Sequence, residues 1–125
     1  MVDAWQRDDL DAWLSMIHAD AEWLSAVERR FGEAGRIVRG HEGLREFWTF
    51  WRTEFVDFWM EVDDIRDLGD ERVLQLSHAG FRGPASGIMV ESELAQVLTF
   101  RNGKVVRSLD YLSHREALRA VGLEE

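Results

Sequence analysis

The chain has 125 residues, 46% of them apolar, and a net charge of -9 from 24 acidic and 15 basic side chains. That length suits one domain burying roughly two-thirds of its unfolded surface. With no cysteine, disulfides, thiolate catalysis and thiolate-held metals are excluded, and the acidic balance argues against nucleic acid, whose phosphates require clustered Lys and Arg. No apolar run approaches the about 20 residues that cross a bilayer, and no basic region leads into an apolar stretch at the N-terminus. A cytoplasmic protein without nucleic-acid or membrane partners is expected. Its six Trp and seven Phe must fill a bulky core or line a large cavity.

Met1–Arg7 reads as the end of a helix present only as a stub. Asp9 stands where an N-cap belongs, and Leu10, Trp13, Leu14 and Ile17 follow at i, i+3, i+4 and i+7, the stripe of an amphipathic helix. Ala21–Val27 is expected as a short strand and Phe31–Arg39 as a loop. A second helix begins near His41 and carries Leu44, Phe47, Trp48, Trp51 and Phe55 on one face, a stripe that needs a large surface opposite it. From Phe58 the period becomes two: Phe58–Leu68 has acidic outer positions (Glu61, Asp63, Asp64, Asp67), Gly69-Asp70 turns the chain, and Val73–Phe81 follows. Arg82–Ser86, with the only proline, makes the next turn, and Ile88 leads into a long strand ending at Phe100. Ser113 and Glu116 form a capping box for a closing helix with Ala117, Leu118 and Val121, stopped by Gly122. Helices followed by a run of strands indicate an α+β fold, helices on one side of a curved sheet.

Asn102-Gly103 between alternating apolar runs marks a β-hairpin, since both residues tolerate positive φ. A two-residue turn would pair Arg101 with Lys104, whereas a turn with a glycine bulge would pair Phe100 with Lys104; the second is favoured. It places Leu94, Gln96, Leu98, Phe100, Val106, Ser108, Asp110 and Leu112 on one face, apolar with three polar groups set into it, as a small-molecule pocket would be. The reverse carries Glu93, Ala95, Val97, Thr99, Val105, Arg107, Leu109 and Tyr111, apolar enough to suggest a homodimer contact.

Asp110 is the catalytic candidate. Desolvated among Leu94, Leu98 and Trp side chains, its carboxyl would have a raised pKa and could act as a base near neutral pH, and Asp110→Asn would then be tolerated or stabilising. The alternative is an Asp110 that faces solvent or pairs with Arg107 or Arg115. Gln96 and Ser108 are orienting partners in the pocket or half-buried strand polars. Trp13, Trp48, Trp51 and Phe55 are core residues and, with Leu98 and Phe100, the lining of a ligand cavity. Capping explains His41 and Glu42. His18, Asp20 and Glu22 alternate, but no H-E-x-x-H or comparable cluster accompanies them; neither a metal nor another cofactor is expected.

The segments AWQRDDLDAWLSMI, ADAEW, RGHEGLREFW, the acidic strand ending DLGD, SGIMVE, and LTFRNGKVVRSLDYL with REALRAVGL after it run in order through nearly the whole chain. In this order and spacing the sequence resembles the nuclear transport factor 2-like superfamily, in its SnoaL-like branch. The resemblance implies one cystatin-like α+β domain over residues 1–125. It would be a cone-shaped curved antiparallel sheet with helices packed on its concave side, a deep pocket, and a homodimer through the outer face. It implies no single activity, because the fold hosts isomerases, cyclases, dehydratases, epoxide hydrolases and non-catalytic binders. The general base of ketosteroid isomerases would fall on Ser25, so that activity is not expected. In limonene-type epoxide hydrolases the last aspartate aligns with Asp110, but the middle pair falls on about Ser77 and Ala79, leaving the water-activating set incomplete. SnoaL-like cyclases rely on one late carboxylate, with which Asp110 is compatible. The resemblance also turns Ser77 inward, whereas hydrophobicity favours His78. Two functions follow: an isomerase-, cyclase- or hydrolase-type enzyme using Asp110 as acid/base on a small apolar ligand, or a non-catalytic ligand-binding or accessory module.

Overall fold

The computed structural model describes residues 2–24, 37–54, 56–82 and 87–123. Along the chain run α1 (Val2–Gln6), α2 (Leu10–Ser15), β1 (Ile17–Leu24), β2 (Val38–Arg39), α3 (Gly40–Glu54), β3 (Val56–Gly69), β4 (Arg72–Arg82), β5 (Met89–Arg101), β6 (Lys104–Tyr111) and α4 (His114–Ala120).

Asp9 caps α2 as expected, its side chain accepting from Ala12 N at 3.1 Å. The helix is shorter than its apolar stripe implies, and Ile17 opens β1 instead. The Met16 carbonyl, which a longer helix would offer to the N–H four residues on, accepts from Val105 N at 3.0 Å. The N–H of Asp20 goes to His18 Nδ1 at 3.0 Å. Pairing with β6 therefore overrides the helical periodicity. The expected end of the early strand at Val27, the loop residues 31–36 and the turn residues 83–86 lie outside the described residues.

The strands make one six-stranded, curved and open sheet in the order β2-β1-β6-β5-β4-β3, so the α+β class and curved sheet are as expected. Pairing is antiparallel except between β1 and β6, which run parallel. That parallel pair departs from the all-antiparallel sheet expected. It sets the first strand directly beside the last.

The β5–β6 turn corrects the expected register. Asn102 (φ 54) and Gly103 (φ 78) form a two-residue turn, and Arg101 pairs with Lys104. The bulge lies one step further in, between the Phe100–Val105 and Thr99–Arg107 pairs, with Val106 as the extra residue. Val105 thus turns into the main core, 1% exposed, rather than onto the reverse face. Beyond the bulge the partners lie two residues from those of the favoured register, Gln96 opposite Asp110 rather than Ser108, so the same residues still face the same side. At the other hairpin the turn residues are Asp70 (φ 53) and Glu71 (φ 60), one place beyond the expected pair, because Gly69 pairs with Arg72.

Two cores result. On the concave side Trp5, Trp13, Trp48 and Trp51 from α1–α3 pack against Ile17, Trp23, Leu98 and Val105 of the sheet. On the reverse side Leu74, Leu76, Ala95 and Val97 are covered by α4 through Ala117, Leu118 and Val121. The closing helix is thus the exception to helices on the concave side. Ser113 caps it, accepting from Glu116 N at 3.3 Å, and Gly122 (φ 78) ends it. This helix accounts for much of the apolar strip read as a dimer contact: Leu109 and Tyr111 pack in the same cluster as Val97.

Candidate functional site

Residues paired across a sheet share a face, and on β4, β5 and β6 the pairs Gln75–Gln96 and Gln96–Asp110 line up in one row. Ser108, two residues before Asp110, points to the same side, and Trp23 on β1 is its parallel-strand neighbour. The row carries a directed chain of hydrogen bonds. Gln75 Nε2 donates to Gln96 Oε1 at 3.1 Å, and Gln96 Nε2 donates to Asp110 Oδ1 at 3.2 Å. Ser108 Oγ donates to the same oxygen at 2.7 Å, and Trp23 Nε1 donates to Oδ2 at 3.0 Å.

Asp110 is 5% exposed, Gln96 6%, Gln75 8% and Ser108 0%. A carboxylate so desolvated is costly unless it accepts several bonds, and here both oxygens accept. Asp110 therefore neither faces solvent nor needs Arg107, which is exposed. Gln96 and Ser108 are its partners rather than half-buried strand polars.

Ser77 is the inward residue of its pair: fully buried, its Oγ donates to Leu94 O at 3.1 Å and lies 3.7 Å from Met60 Sδ. His78 lies on the opposite face, bonded to Asp63 at 2.9 Å, 3.4 Å from Glu61 and edge-on to Trp59 at 5.4 Å. Its pKa is raised above the ordinary 6.5, first by the hydrogen bond to Asp63; burial, next in size, opposes this, and the charges of Asp63, Glu61 and Glu91 add to the rise.

The aromatic residues form a connected stack. Trp13 meets Trp23 at 5.5 Å and Trp48 at 5.2 Å between ring centroids. Trp51 meets Phe47 at 6.1 Å and Phe58 at 5.5 Å, and Phe47 in turn meets Trp23 at 6.5 Å. Leu98 is buried in the same core, with Phe100 partly buried against it; Phe55 lies outside the described residues. His41 is not accounted for by capping: its Nε2 contacts Ile17 O at 2.8 Å and ties the start of α3 to β1. Glu22 pairs with Arg39 at 2.7 Å, and among the described residues no group of metal-type side chains gathers.

Two members of the row escape a sequence-based reading. Trp23 shares its face with Ala21 by simple alternation, but nothing in AEWL indicates that its indole reaches a residue 87 positions later. Gln75 falls in the inward set with Ser77, and its partner is visible only once strand register is known.

Residues 1–108 match the family model of the SnoaL-like domain. Among curated proteins no sequence matches the chain. Among solved structures, an NTF2-like protein of unknown function from Burkholderia pseudomallei is similar with TM-score 0.79 and 21% identity, over 96% of this chain and 90% of that one. TerC, co-crystallised with polyporic acid, gives TM-score 0.77 at 20% identity, over 97% and 92%. A protein from Jannaschia described as a SnoaL-like polyketide cyclase gives 0.73 at 14%, over 98% and 84%. These likenesses carry the fold, and the family match spans most of the sequence. The chain belongs to the SnoaL-like domain family.

Proposed function

We propose that the protein binds a small, largely apolar ligand against the concave face of its sheet, and that Asp110 acts on it as acid/base in an isomerase-, cyclase- or hydrolase-type reaction. The observation that carries this is the buried carboxylate with Trp23, Gln96 and Ser108 donating to it. These donors favour the ionised form, which is the form a general base needs, and hold its oxygens in fixed directions. In proton transfer the carboxylate takes a proton from an acidic C–H or from water and returns it to the rearranged ligand. The indole of Trp23, bonded to the carboxylate and backed by that of Trp13, keeps water from competing. Membership of the SnoaL-like family supports a ligand-binding role. Polyporic acid in TerC and the name of the Jannaschia protein offer precedents for carbocyclic ligands in this fold.

A second reading keeps the ligand and drops the chemistry. It is favoured by the close mutual packing of Trp13, Trp23 and Trp48, and by the engagement of Asp110 with its own strands, which suits a structural anchor. A homodimer and a cytoplasmic location accompany either reading; the dimer contact would use surface beyond the strip that α4 covers.

2-Tetralone, a bicyclic ketone with acidic α-hydrogens, separates the two. Binding is followed by tryptophan fluorescence, and exchange of the α-hydrogens in D2O by NMR. The enzyme reading expects protein-accelerated exchange in wild type and none above buffer in Asp110→Asn at retained affinity. Binding without accelerated exchange in wild type supports the accessory reading.

A further inference from the structure

At the helical end of the aromatic stack three buried N–H groups have no acceptor among the described residues: Trp5 Nε1, Arg52 Nε and Arg52 Nη2. Trp5 is 6% exposed. The Arg52 guanidinium carbon lies 5.3 Å from the Trp5 ring centroid and 4.8 Å from that of Trp48, so the cation rests on both indoles. A guanidinium stays charged at any working pH, and buried donors without acceptors are costly. Groups so arranged are prepared for an incoming acceptor.

Among the described residues one charge of opposite sign lies within ion-pair distance of Arg52. Asp8 Oδ1 lies 3.4 Å from Arg52 Nε, and its side chain is 67% exposed. That separation exceeds the about 2.7–2.9 Å of a formed charge-assisted bond, and an ion pair so exposed is weak. Asp8 stands in the turn after α1 with φ 58.

We infer that Arg52 and Trp5 form a subsite for an anionic oxygen, a carboxylate in the first instance, at one end of the bound ligand. The inference rests on the ligand-binding reading above and assigns the ligand's polarity. Trp48, Trp13 and Trp23 follow one another from Arg52 to Asp110, at 5.2 Å and 5.5 Å between rings and 3.0 Å from the last indole nitrogen to the carboxylate. A ligand lying along this wall has its acidic group at Arg52 and its apolar body on the indoles, with its far end toward Asp110. Two negative charges on ligand and base are thereby kept apart, which favours binding an acid in a site whose base is itself a carboxylate. The ligand class is an elongated aromatic or polycyclic acid, and Asp8 is the carboxylate it displaces.

The test compares 2-naphthoate with the neutral 2-naphthalenemethanol, titrated against intrinsic fluorescence at pH 7.5. Wild type is expected to bind the acid about tenfold more tightly, the worth of a charge-assisted bond in a shielded site. Arg52→Gln should erase that preference and leave the alcohol's affinity unchanged. Trp5→Phe, which keeps an aromatic though smaller ring and removes the N–H, should weaken the acid more than the alcohol. Asp8→Asn, at an exposed position and so safe for folding, should strengthen the acid alone by removing its competitor. Equal affinity of wild type for the two probes, or an Asp8→Asn protein with unchanged affinity for the acid, overturns the subsite and leaves the ligand-binding reading standing. Binding of neither probe overturns both.

Discussion

Gln96 lies directly opposite Asp110 across β5 and β6 and donates Nε2 to its Oδ1 at 3.2 Å, while Gln75 donates to Gln96 Oε1 at 3.1 Å. The amide of Gln96 is therefore polarised in one sense, acceptor toward β4 and donor toward β6. Gln96→Leu should cost about 1–3 kcal/mol, because it removes a donor from a buried carboxylate and orphans the Gln75 amide. Gln96→Glu should cost more, since it sets two carboxylates side by side. Urea denaturation at pH 7 measures both, and a Glu variant as stable as the Leu variant would show that the row is not held by charge.

Asp110→Asn reverses an expectation. A lone desolvated carboxylate gains from neutralisation, but this one accepts from Trp23, Gln96 and Ser108. An amide would turn its NH2 toward one of those donors, so the variant should lose about 1–3 kcal/mol. Unchanged stability in denaturant would mean that the three bonds contribute nothing net.

His78 should titrate above 6.5, and Asp63→Asn should bring its NMR midpoint down. With the folded pKa raised, its contribution to stability is full below the unfolded value and fades as pH rises through the folded one. The stability difference between wild type and Asp63→Asn should accordingly shrink from pH 6 toward pH 8. A difference that grew over that window would contradict the assignment.

Gly80 faces Trp59 across β3 and β4, and a Cβ built on it would stand 2.5 Å from the indole nitrogen. Gly80→Ala should displace that ring from His78 and destabilise by about 1–3 kcal/mol. Trp59→Leu combined with Gly80→Ala should recover much of the loss, which thermal melts of the single and double variants would reveal.

Ala117 is fully buried where α4 meets Leu74, Leu76, Ala95 and Val97. Ala117→Asp should lift the helix and bare that strip, increasing dye binding and self-association. Light scattering on wild type addresses the homodimer separately. A species of 14.5 kDa at micromolar concentration would rule the dimer out, and a dimer that survives Ala117→Asp would lie elsewhere than under α4.

Element order, class and the inward turn of Gln96, Ser108 and Asp110 were legible because alternation and caps are local signals. The last of these is instructive. The favoured turn at Asn102-Gly103 has a bulge and the observed one has none, yet a bulge at Val106 restores the phase before Ser108, so the polar face comes out as expected through different geometry. What alternation could not resolve was contact between distant segments. Ile17 continues a helical stripe but belongs to a strand because Val105 pairs with Met16. Trp23 and Gln75 acquire partners only when the register of β1 on β6 and β4 on β5 is set. Likewise α4 reads as an amphipathic helix without indicating which face of the sheet it covers.

The parallel pairing of β1 with β6 has a consequence for biosynthesis. Residues 17–24 leave the ribosome well before the strand Lys104–Tyr111, their long partner among the described residues. At about 5–20 residues per second, β1 waits seconds for that partner, with Trp23 and its apolar neighbours on an open edge. The hairpins of β3 to β5 can pair meanwhile, since their contacts are between successive segments. The carboxylate-centred row is completed last, when β6 slides between β5 and β1. A nascent chain stalled before residue 104 would hold most of its sheet while still exposing a strand edge, a state for chaperones to shield.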